Sequence, residues 1–295
     1  MRIGIVGAEN SHCAAVAKTL NVRKSCGSAR VVAVWGETRA FAEAAAAAGE
    51  VPRIVRRPEE MIGQVDGVMI DHRHAKFHIA AARPFVEAGI PAFVDKPFSF
   101  TVREGGALLE LAKARGVPVT SFSTIPEQEA FGKDFRRQVR AAGRITSIDT
   151  AGPCDIKSKY GGVFFYAIHQ VDAILKAFGA GIEAVQVVKA SRGNPNAAAV
   201  MTYRDGGPIV TMQLVKEGQC GFAFRAAGAK AAVEYAHRSD DDPYLSGIRK
   251  WLRMFRTGKE PYTAAEMLEP IAVLEALAKS VRTGKRVRVA KLPCE

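Results

Sequence analysis

Short apolar stretches alternate with amphipathic stretches along the first 120 residues of the chain. The apolar runs are rich in Val and Ile and predict strands at 2–7, 31–35, 67–70, 92–95 and 117–122. The stretches between them have helical periodicity and predict helices at 11–20, 40–48, 78–87 and 102–115. Regular alternation of strand and helix is typical of a doubly wound parallel sheet, so residues 1–122 are predicted to form a dinucleotide-binding Rossmann domain, an α/β fold.

The pattern changes after residue 122. Helical patterns at 131–142 and 164–178 precede five strand patterns, at 184–190, 198–203, 209–214, 221–226 and 231–235. Consecutive strands joined by short turns predict an antiparallel sheet. Amphipathic helices at 245–255 and 264–283 close the chain. We therefore expect an α+β substrate and oligomerisation domain over 123–295, with an open, mainly antiparallel sheet and with the last helix packing back on the first domain.

Composition places the chain among ordinary globular proteins. It has 295 residues, 48% hydrophobic and 24% charged, a length typical of about two domains. There is no apolar run of about 18 residues and no secretory signal pattern, so we expect no membrane contact. The cysteines are scattered without a C-x-x-C pair, which indicates reduced thiols and a cytoplasmic protein. They are Cys13, Cys26, Cys154, Cys220 and Cys294.

The net charge of +12 comes from 42 Lys and Arg against 30 Asp and Glu. These basic residues are spread along the chain, and no helix-turn-helix, zinc-finger or aromatic RNA-binding pattern accompanies them. A diffuse positive field suits anionic nucleotides or acidic small molecules. The expected partner is therefore a small-molecule substrate rather than a nucleic acid.

The loop after the first strand carries a reduced form of the dinucleotide fingerprint, which places glycines at three fixed positions. Only the first glycine is present, and Glu9 and His12 stand at the other two positions. The helix that follows can still offer its N-terminal N–H groups to an anion. An ordinary strand–loop–helix turn is the alternative. The predicted cofactor-binding residues of this loop are Gly7, Ala8, Glu9, Asn10, Ser11 and His12.

The second strand ends in Trp35-Gly36-Glu37-Thr38-Arg39. A dinucleotide fold places an acidic acceptor for the adenosine ribose near this point. Glu37 is the candidate acceptor, which would favour NAD, whereas Arg39 could meet the 2′-phosphate of NADP. The sequence leaves both cofactors open, as well as a solvated turn that contacts neither.

Asp95-Lys96-Pro97 stands at the C-terminal end of the fourth predicted strand. Ligands of open α/β sheets bind at the carboxyl ends of strands, and an ammonium group there can donate to a substrate hydroxyl. Lys96 is therefore a predicted catalytic and cofactor-binding residue beside Asp95, with a surface lysine as the alternative. Asp71 and His72 follow the strand at 67–70 and are expected to contact the cofactor. No metal is expected, because the His spacing at 72–78 does not match that of zinc motifs.

The predicted helix at 164–178 carries a second group of candidates. Tyr166, His169 and Asp172 lie at three-residue spacing and share one helix face. The imidazole titrates near neutrality, so His169 can act as a general acid or base, with Asp172 or Tyr166 orienting the ring. The alternative is a structural histidine held by Asp172.

Taken together, these motifs resemble the Gfo/Idh/MocA family of NAD(P)-dependent oxidoreductases. Asp95-Lys96-Pro97 is similar to the family's Glu-Lys-Pro motif, and His169 and Asp172 match two positions of its Asp-x-Gly-x-His-x-x-Asp helix. The final helix, through Thr283-Gly284-Lys285, resembles that of the family. The resemblance implies a Rossmann domain followed by a domain with a large open sheet, through which members often form dimers or tetramers.

The chain also departs from the family pattern. Phe165 stands where members have a catalytic aspartate, Ala167 replaces a glycine, and Asp71-His72-Arg73-His74 replaces a Thr-Pro pair, which indicates a divergent branch. The resemblance implies hydride transfer between NAD or NADP and a secondary alcohol or ketone of a sugar-like or cyclitol substrate. The alternatives are a non-catalytic dinucleotide- or sugar-binding sensor and an NAD-assisted lyase or hydrolase.

Overall fold

The computed structural model describes residues 1–292. They separate into two compact units, the first formed by residues 1–122 and 242–267 and the second by 123–241 together with residues from 268 onward. The break after residue 122 lies at the predicted boundary. Residues 242–267, however, group with the first unit and not with the rest of the predicted second domain, 123–295.

The helices and strands follow one another in the order that we number here. The strands are β1 (Arg2–Val6), β2 (Arg30–Trp35), β3 (Gly67–Ile70), β4 (Ala92–Val94), β5 (Val119–Thr120), β6 (Ile145–Pro153), β7 (Ile182–Lys189), β8 (Ala197–Tyr203), β9 (Ile209–Val215), β10 (Ala223–Gly228), β11 (Ala232–Ala236) and β12 (Val287–Arg288). The α-helices are α1 (Ser11–Ala17), α2 (Arg39–Gly49), α3 (His78–Glu87), α4 (Val102–Arg115), α5 (Arg136–Ala141), α6 (Val163–Phe178), α7 (Leu245–Thr257) and α8 (Ala264–Thr283).

The first unit contains a parallel sheet with the strand order β2-β1-β3-β4-β5. An isolated parallel bridge between Val34 and Ile54 adds one more pairing beyond β2. From β1 the chain passes to β2 on one side of that strand and then crosses to β3 on the other side. The loops after β1 and β3 therefore meet at the point where ligands bind in doubly wound folds. The predicted doubly wound parallel sheet is confirmed.

The second unit contains a sheet with the order β11-β10-β6-β9-β8-β7-β12. The pairing of β6 with β9 is parallel, and the other pairings are antiparallel. The predicted mainly antiparallel sheet is thus confirmed, but β6, a strand inside this sheet, was missed. Its sequence, ITSIDTAGP, includes Ser, Asp, Gly and Pro, which strands disfavour, and alternate positions such as Ile148 and Thr150 are buried.

The core of the first unit explains why α7 belongs to it. Ile248, Trp251 and Leu252 of this helix are buried in one hydrophobic cluster with residues of β1–β4 and α1. The ring of Trp251 stacks on that of Phe93 at a centroid distance of 5.8 Å. The predicted last helix is divided between the units, since residues up to 267 group with the first and residues of α8 from 268 onward group with the second.

Two further sequence expectations concern membranes and thiols. No helix within residues 1–292 is long and apolar enough to cross a membrane. Cys13 and Cys154 are buried free thiols, and Cys26 and Cys220 are partly exposed free thiols. Burial raises the pKa of Cys154 to about 12, so this thiol stays protonated at neutral pH. Cys294 lies outside the described residues.

Candidate functional site

The loop that follows β1 lies in direct contact with the end of β3. Gly7 has a φ of +109°, and a Cβ atom at this position would lie 2.6 Å from the carbonyl carbon of Asp71 and from the amide nitrogen of His72. Any other residue would clash with this backbone and would be strained in this conformation. The one glycine of the fingerprint that the sequence retains is therefore required by the crossing of two strand ends.

Glu37 binds the backbone of the same loop. Its Oε2 atom accepts hydrogen bonds from the amide groups of Ala8 and Glu9, each at 2.9 Å. The other oxygen, Oε1, is buried and accepts no hydrogen bond from any group within residues 1–292. A buried carboxylate oxygen without a donor is costly, and a ligand hydroxyl would satisfy it. The ribose of a dinucleotide offers such hydroxyls at this position of the fold, so Glu37 fits an adenosine ribose.

Arg39, the other candidate at the end of β2, is the first residue of α2. Its Nε donates to Oε1 of Glu43 at 2.6 Å, and both side chains are exposed. Arg39 therefore forms a surface ion pair with a residue one helical turn further along α2. Thr38 caps the same helix by accepting from the amide of Phe41 at 3.2 Å.

The loop residues 8–11 border a cavity of about 380 Å³ in the first unit, lined also by alanines of α2, Phe41 and Arg73. Ser11 begins α1, and Asn10 at its N-cap forms no capping bond through its side chain in the described chain. The first amide groups of a helix have no partner within the helix. Glu9, at the second fingerprint position, lines this cavity beside them.

Four polar side chains, two from this stretch and two from the ends of β3 and β4, are buried together. We call Asn10, His12, Asp71 and Asp95 the polar cluster. Nδ1 of His12 lies 3.0 Å from Oδ1 of Asp95. Nδ2 of Asn10 donates to Oδ1 of Asp71 at 3.0 Å and to Oδ2 of Asp95 at 3.1 Å. His12, at the third fingerprint position, therefore contacts Asp95 at the end of β4.

The two carboxylates of the polar cluster have pKa values that differ in direction. Burial and the charge of Asp95 raise the pKa of Asp71 well above its usual range. Burial also acts to raise the pKa of Asp95, but the charges of His12 and Lys96 outweigh it, so this pKa lies well below its usual range. When two carboxyl groups lie close together, the charge on one disfavours ionisation of the other, so their pKa values move apart. Asp95 is the charged carboxylate at neutral pH.

Lys96 is a buried lysine, 7% exposed, and its Nζ lies 4.0 Å from Oδ2 of Asp95. The alternative of a solvated surface lysine is therefore wrong. His78 lies between the two strand ends, with Nε2 2.7 Å from the carbonyl of His72 and Nδ1 2.9 Å from the carbonyl of Pro97. These contacts fix the segment that carries Lys96, whose peptide bond to Pro97 is cis.

His72 is buried beside aromatic rings. Its ring lies 5.6 Å from that of Trp35 and 5.7 Å from that of Phe77. Burial, followed by the charge of His78, lowers the pKa of His72 to about 4. The imidazole is neutral at neutral pH, so the structure gives His72 an apolar packing environment.

In the second unit, α6 carries His169. Its Nδ1 lies 2.7 Å from Oγ of Ser123. Asp172, expected from the sequence to orient the imidazole, accepts from the amide of Ser123 at 2.8 Å and lies 3.4 Å from Nζ of Lys176. Asp172 therefore contacts the residue whose hydroxyl lies against His169. Sequence spacing gave no signal for Ser123, because it lies 46 residues from His169 in the chain.

Aromatic rings flank His169. The ring of Tyr166 packs edge-on to the imidazole at 5.4 Å, and that of Phe222 does so at 5.3 Å. The sequence pointed to Tyr166, but Phe222 was missed because it lies just before β10, far along the chain. Phe165, in the position of the family's aspartate, packs against Tyr160 at 4.9 Å.

Comparison with known proteins agrees with the first unit's geometry. Residues 1–123 match the model of the Gfo/Idh/MocA oxidoreductases, described as an oxidoreductase family with an NAD-binding Rossmann fold. This match agrees with the family predicted from the sequence, over the NAD-binding Rossmann region at residues 1–123. No curated protein matches this chain by sequence.

Solved structures share the fold over the whole chain. Scyllo-inositol dehydrogenase from Lactobacillus casei with NAD(H) and scyllo-inositol has a TM-score of 0.84 at 17% identity, covering 99% of both chains. Myo-inositol dehydrogenase from the same organism, with NAD(H) and myo-inositol, has a TM-score of 0.85 at 12% identity, covering 99% of this chain and 97% of that one. Myo-inositol 2-dehydrogenase from Lactobacillus plantarum gives 0.85 at 16% identity, covering 98% and 99%. At these identities the likeness is one of fold.

Lys176, on the same helix as His169, leads to a prediction on stability. Lys176 pairs with Glu127 at 2.8 Å and with Asp172, and the two carboxylates are buried. Lys176→Met leaves both carboxylates uncompensated, so we expect a loss of about 3–5 kcal/mol in the free energy of unfolding at pH 7. Burial already raises the pKa of Asp172, and losing the lysine raises this pKa further.

The penalty should therefore be present above the pKa values of the unfolded acids, near 4, and should shrink as the pH falls towards them. Urea unfolding at pH 7 and at about pH 4 measures it. Lys133→Met removes an exposed pair with Glu129 and is the matched control, with little expected loss. An equal loss in both variants, or a Lys176→Met loss independent of pH, would contradict this account.

Proposed function

We propose that this chain is an NAD-dependent dehydrogenase of a cyclitol or related sugar-like small molecule, oxidising a secondary alcohol or reducing the matching ketone. The observation that carries the proposal is the buried Oε1 of Glu37, which lacks a donor within the described residues, at the ribose position of an NAD-binding family fold. The inositol dehydrogenases that share the fold support the substrate class.

Charge supports NAD over NADP. Glu37 presents a carboxylate where a 2′-phosphate would lie, and like charges disfavour this ligand. Arg39, the residue that would favour NADP, is paired with Glu43. The small-molecule partner is thus a nicotinamide dinucleotide without a 2′-phosphate.

When bound, the nicotinamide ring supplies the hydride acceptor or donor. Lys96 binds the oxygen of the reacting carbon through its ammonium group, which stabilises developing negative charge on that oxygen. Asp95 balances the charge of this lysine in a buried environment. The polar cluster fixes Asp95, since both Asn10 and His12 contact its carboxylate.

His169 takes the proton of the hydroxyl during oxidation and returns it during reduction. The Ser123 hydroxyl holds Nδ1 of the imidazole, and Asp172 holds Ser123 by its backbone amide. Tyr166 and Phe222 restrict the ring from its sides. These contacts orient the histidine without an aspartate at position 165.

A second candidate function is a dinucleotide- or sugar-binding sensor without turnover. Two observations favour it: Phe165 packs on Tyr160, and Asp172 is engaged by Ser123 and Lys176. Such a protein would bind NAD but give no steady change in nicotinamide absorbance with any polyol.

The cofactor prediction uses Glu37→Gln. The amide keeps an oxygen for the loop but loses the charge and one acceptor, so we expect NAD affinity to fall about 10- to 100-fold. The unmodified chain should bind NAD at least about tenfold more tightly than NADP, and the variant should lose this preference. Calorimetric titration measures both, with the exposed Glu43→Gln as control. Equal affinity for NAD and NADP in the unmodified chain would refute the assignment.

The activity prediction concerns Lys96 and His169. With NAD and a panel of inositols and related polyols, the unmodified chain should produce NADH steadily. Lys96→Met and His169→Asn should each lower kcat at least about 100-fold, the usual scale for acid–base and charge-stabilising groups. Lys113→Met, an exposed lysine on α4, should leave the rate unchanged. NAD binding without NADH production from any polyol would favour the sensor.

We also propose that the chain forms a homodimer or homotetramer through the sheet of the second unit. Val188, Val200 and Ile209 are exposed apolar residues on β7, β8 and β9, three adjacent strands of this sheet. Light scattering of the purified chain measures the assembly. Val200→Lys should reduce the mass towards that of a monomer, and a monomeric unmodified chain would contradict the proposal.

A further inference from the structure

Three side chains of the kinds that bind metal ions converge in the first unit. They are His12 from the loop after β1, Asp71 from the end of β3, and Asp95 from the end of β4. Each offers one ligand atom, and these atoms all lie within 4.8 Å of one another. All three residues are buried, so this is an enclosed group and not a solvated acidic surface.

One oxygen in this group has no partner. Oδ1 of Asp71 accepts from Asn10 at 3.0 Å, whereas Oδ2 is buried and accepts no hydrogen bond from the part of the chain that the structure describes. A buried acceptor left unsatisfied costs about 1–3 kcal/mol. A cation bound by this carboxylate would satisfy the oxygen that lacks a donor.

The separations suit a single ion. Nδ1 of His12 lies 3.0 Å from Oδ1 of Asp95 and 4.0 Å from Oδ1 of Asp71. Ligand atoms about 2.0–2.2 Å from one tetrahedral ion lie roughly 3.3–3.6 Å apart. The two separations that involve His12 lie on either side of this spacing.

The donor set selects the kind of ion. One imidazole nitrogen and two carboxylate oxygens suit a first-row transition metal, whereas magnesium and calcium prefer oxygen alone. Lys96, 4.0 Å from Asp95, balances the charge of that carboxylate.

We propose that His12, Asp71 and Asp95 bind a divalent first-row transition-metal ion, such as zinc or cobalt. His12 stands at the third glycine position of the dinucleotide fingerprint, so this site accounts for one of the chain's two departures from that motif. Three protein ligands leave a coordination position for a further ligand. The site requires no nucleotide, and it goes beyond the proposed dehydrogenase function.

The test uses the full chain after removal of metals with a chelator and then of the chelator. Zinc is titrated by calorimetry, and cobalt is titrated by its visible absorption, which reports coordination by the protein. We expect one ion per chain and a higher melting temperature with zinc. Asp71→Asn and His12→Gln should each lower the affinity at least about tenfold and weaken the cobalt absorption.

His74→Gln is the matched control, because His74 lies three residues from Asp71 and its Nδ1 accepts from the amide of Lys76. This variant should bind zinc like the unmodified chain. Circular dichroism verifies that each variant is folded, and His12→Gln carries the test alone if Asp71→Asn is not. Absence of zinc and cobalt binding to the unmodified chain, or unchanged affinity in a folded His12→Gln or Asp71→Asn variant, would overturn the proposal. Neither result would bear on NAD binding, which the Glu37→Gln experiment measures separately.

Discussion

The contact between Gly7 and the end of β3 is the constraint on which the first unit's site depends. The glycine backbone approaches Asp71 and His72 so closely that no side chain fits. This approach holds the loop where Ala8 and Glu9 donate to Glu37. It also brings Asn10 against Asp71, within the buried polar cluster. One backbone crossing thus positions both the candidate ribose acceptor and the candidate metal ligands.

Buried charge in both units follows one physical rule, in which each buried carboxylate pair is opposed by a lysine. In the first unit, Lys96 helps to keep Asp95 ionised, while burial and Asp95 raise the pKa of Asp71. In the second unit, Lys176 offsets the burial of Asp172 and pairs with Glu127. Charges taken out of water persist only when they are paired in this way. The candidate functional groups therefore lie beside buried carboxylates whose charge is balanced by a lysine.

Local patterns in the sequence predicted most of the first unit, because each strand and helix there is a short, strongly periodic segment. They also placed Lys96, since a residue that follows a parallel strand must lie at the ligand-binding edge. They missed β6, whose Ser, Asp, Gly and Pro residues obscure its alternation. The bond from Ser123 to His169 and that from His12 to Asp95 were also missed, because they join segments 46 and 83 residues apart. Such contacts depend on tertiary packing, which local spacing does not encode.

The central claim is that this chain moves a hydride between a polyol carbon and nicotinamide, and isotope transfer tests it most directly. The purified chain is incubated with NAD and with inositols that carry deuterium on their ring carbons, and the nicotinamide is analysed by mass spectrometry. The account predicts deuterium in the NADH, together with an equal amount of ketone product. Product formed with no deuterium in the nicotinamide, or saturable NAD binding with no product from any inositol, would contradict it.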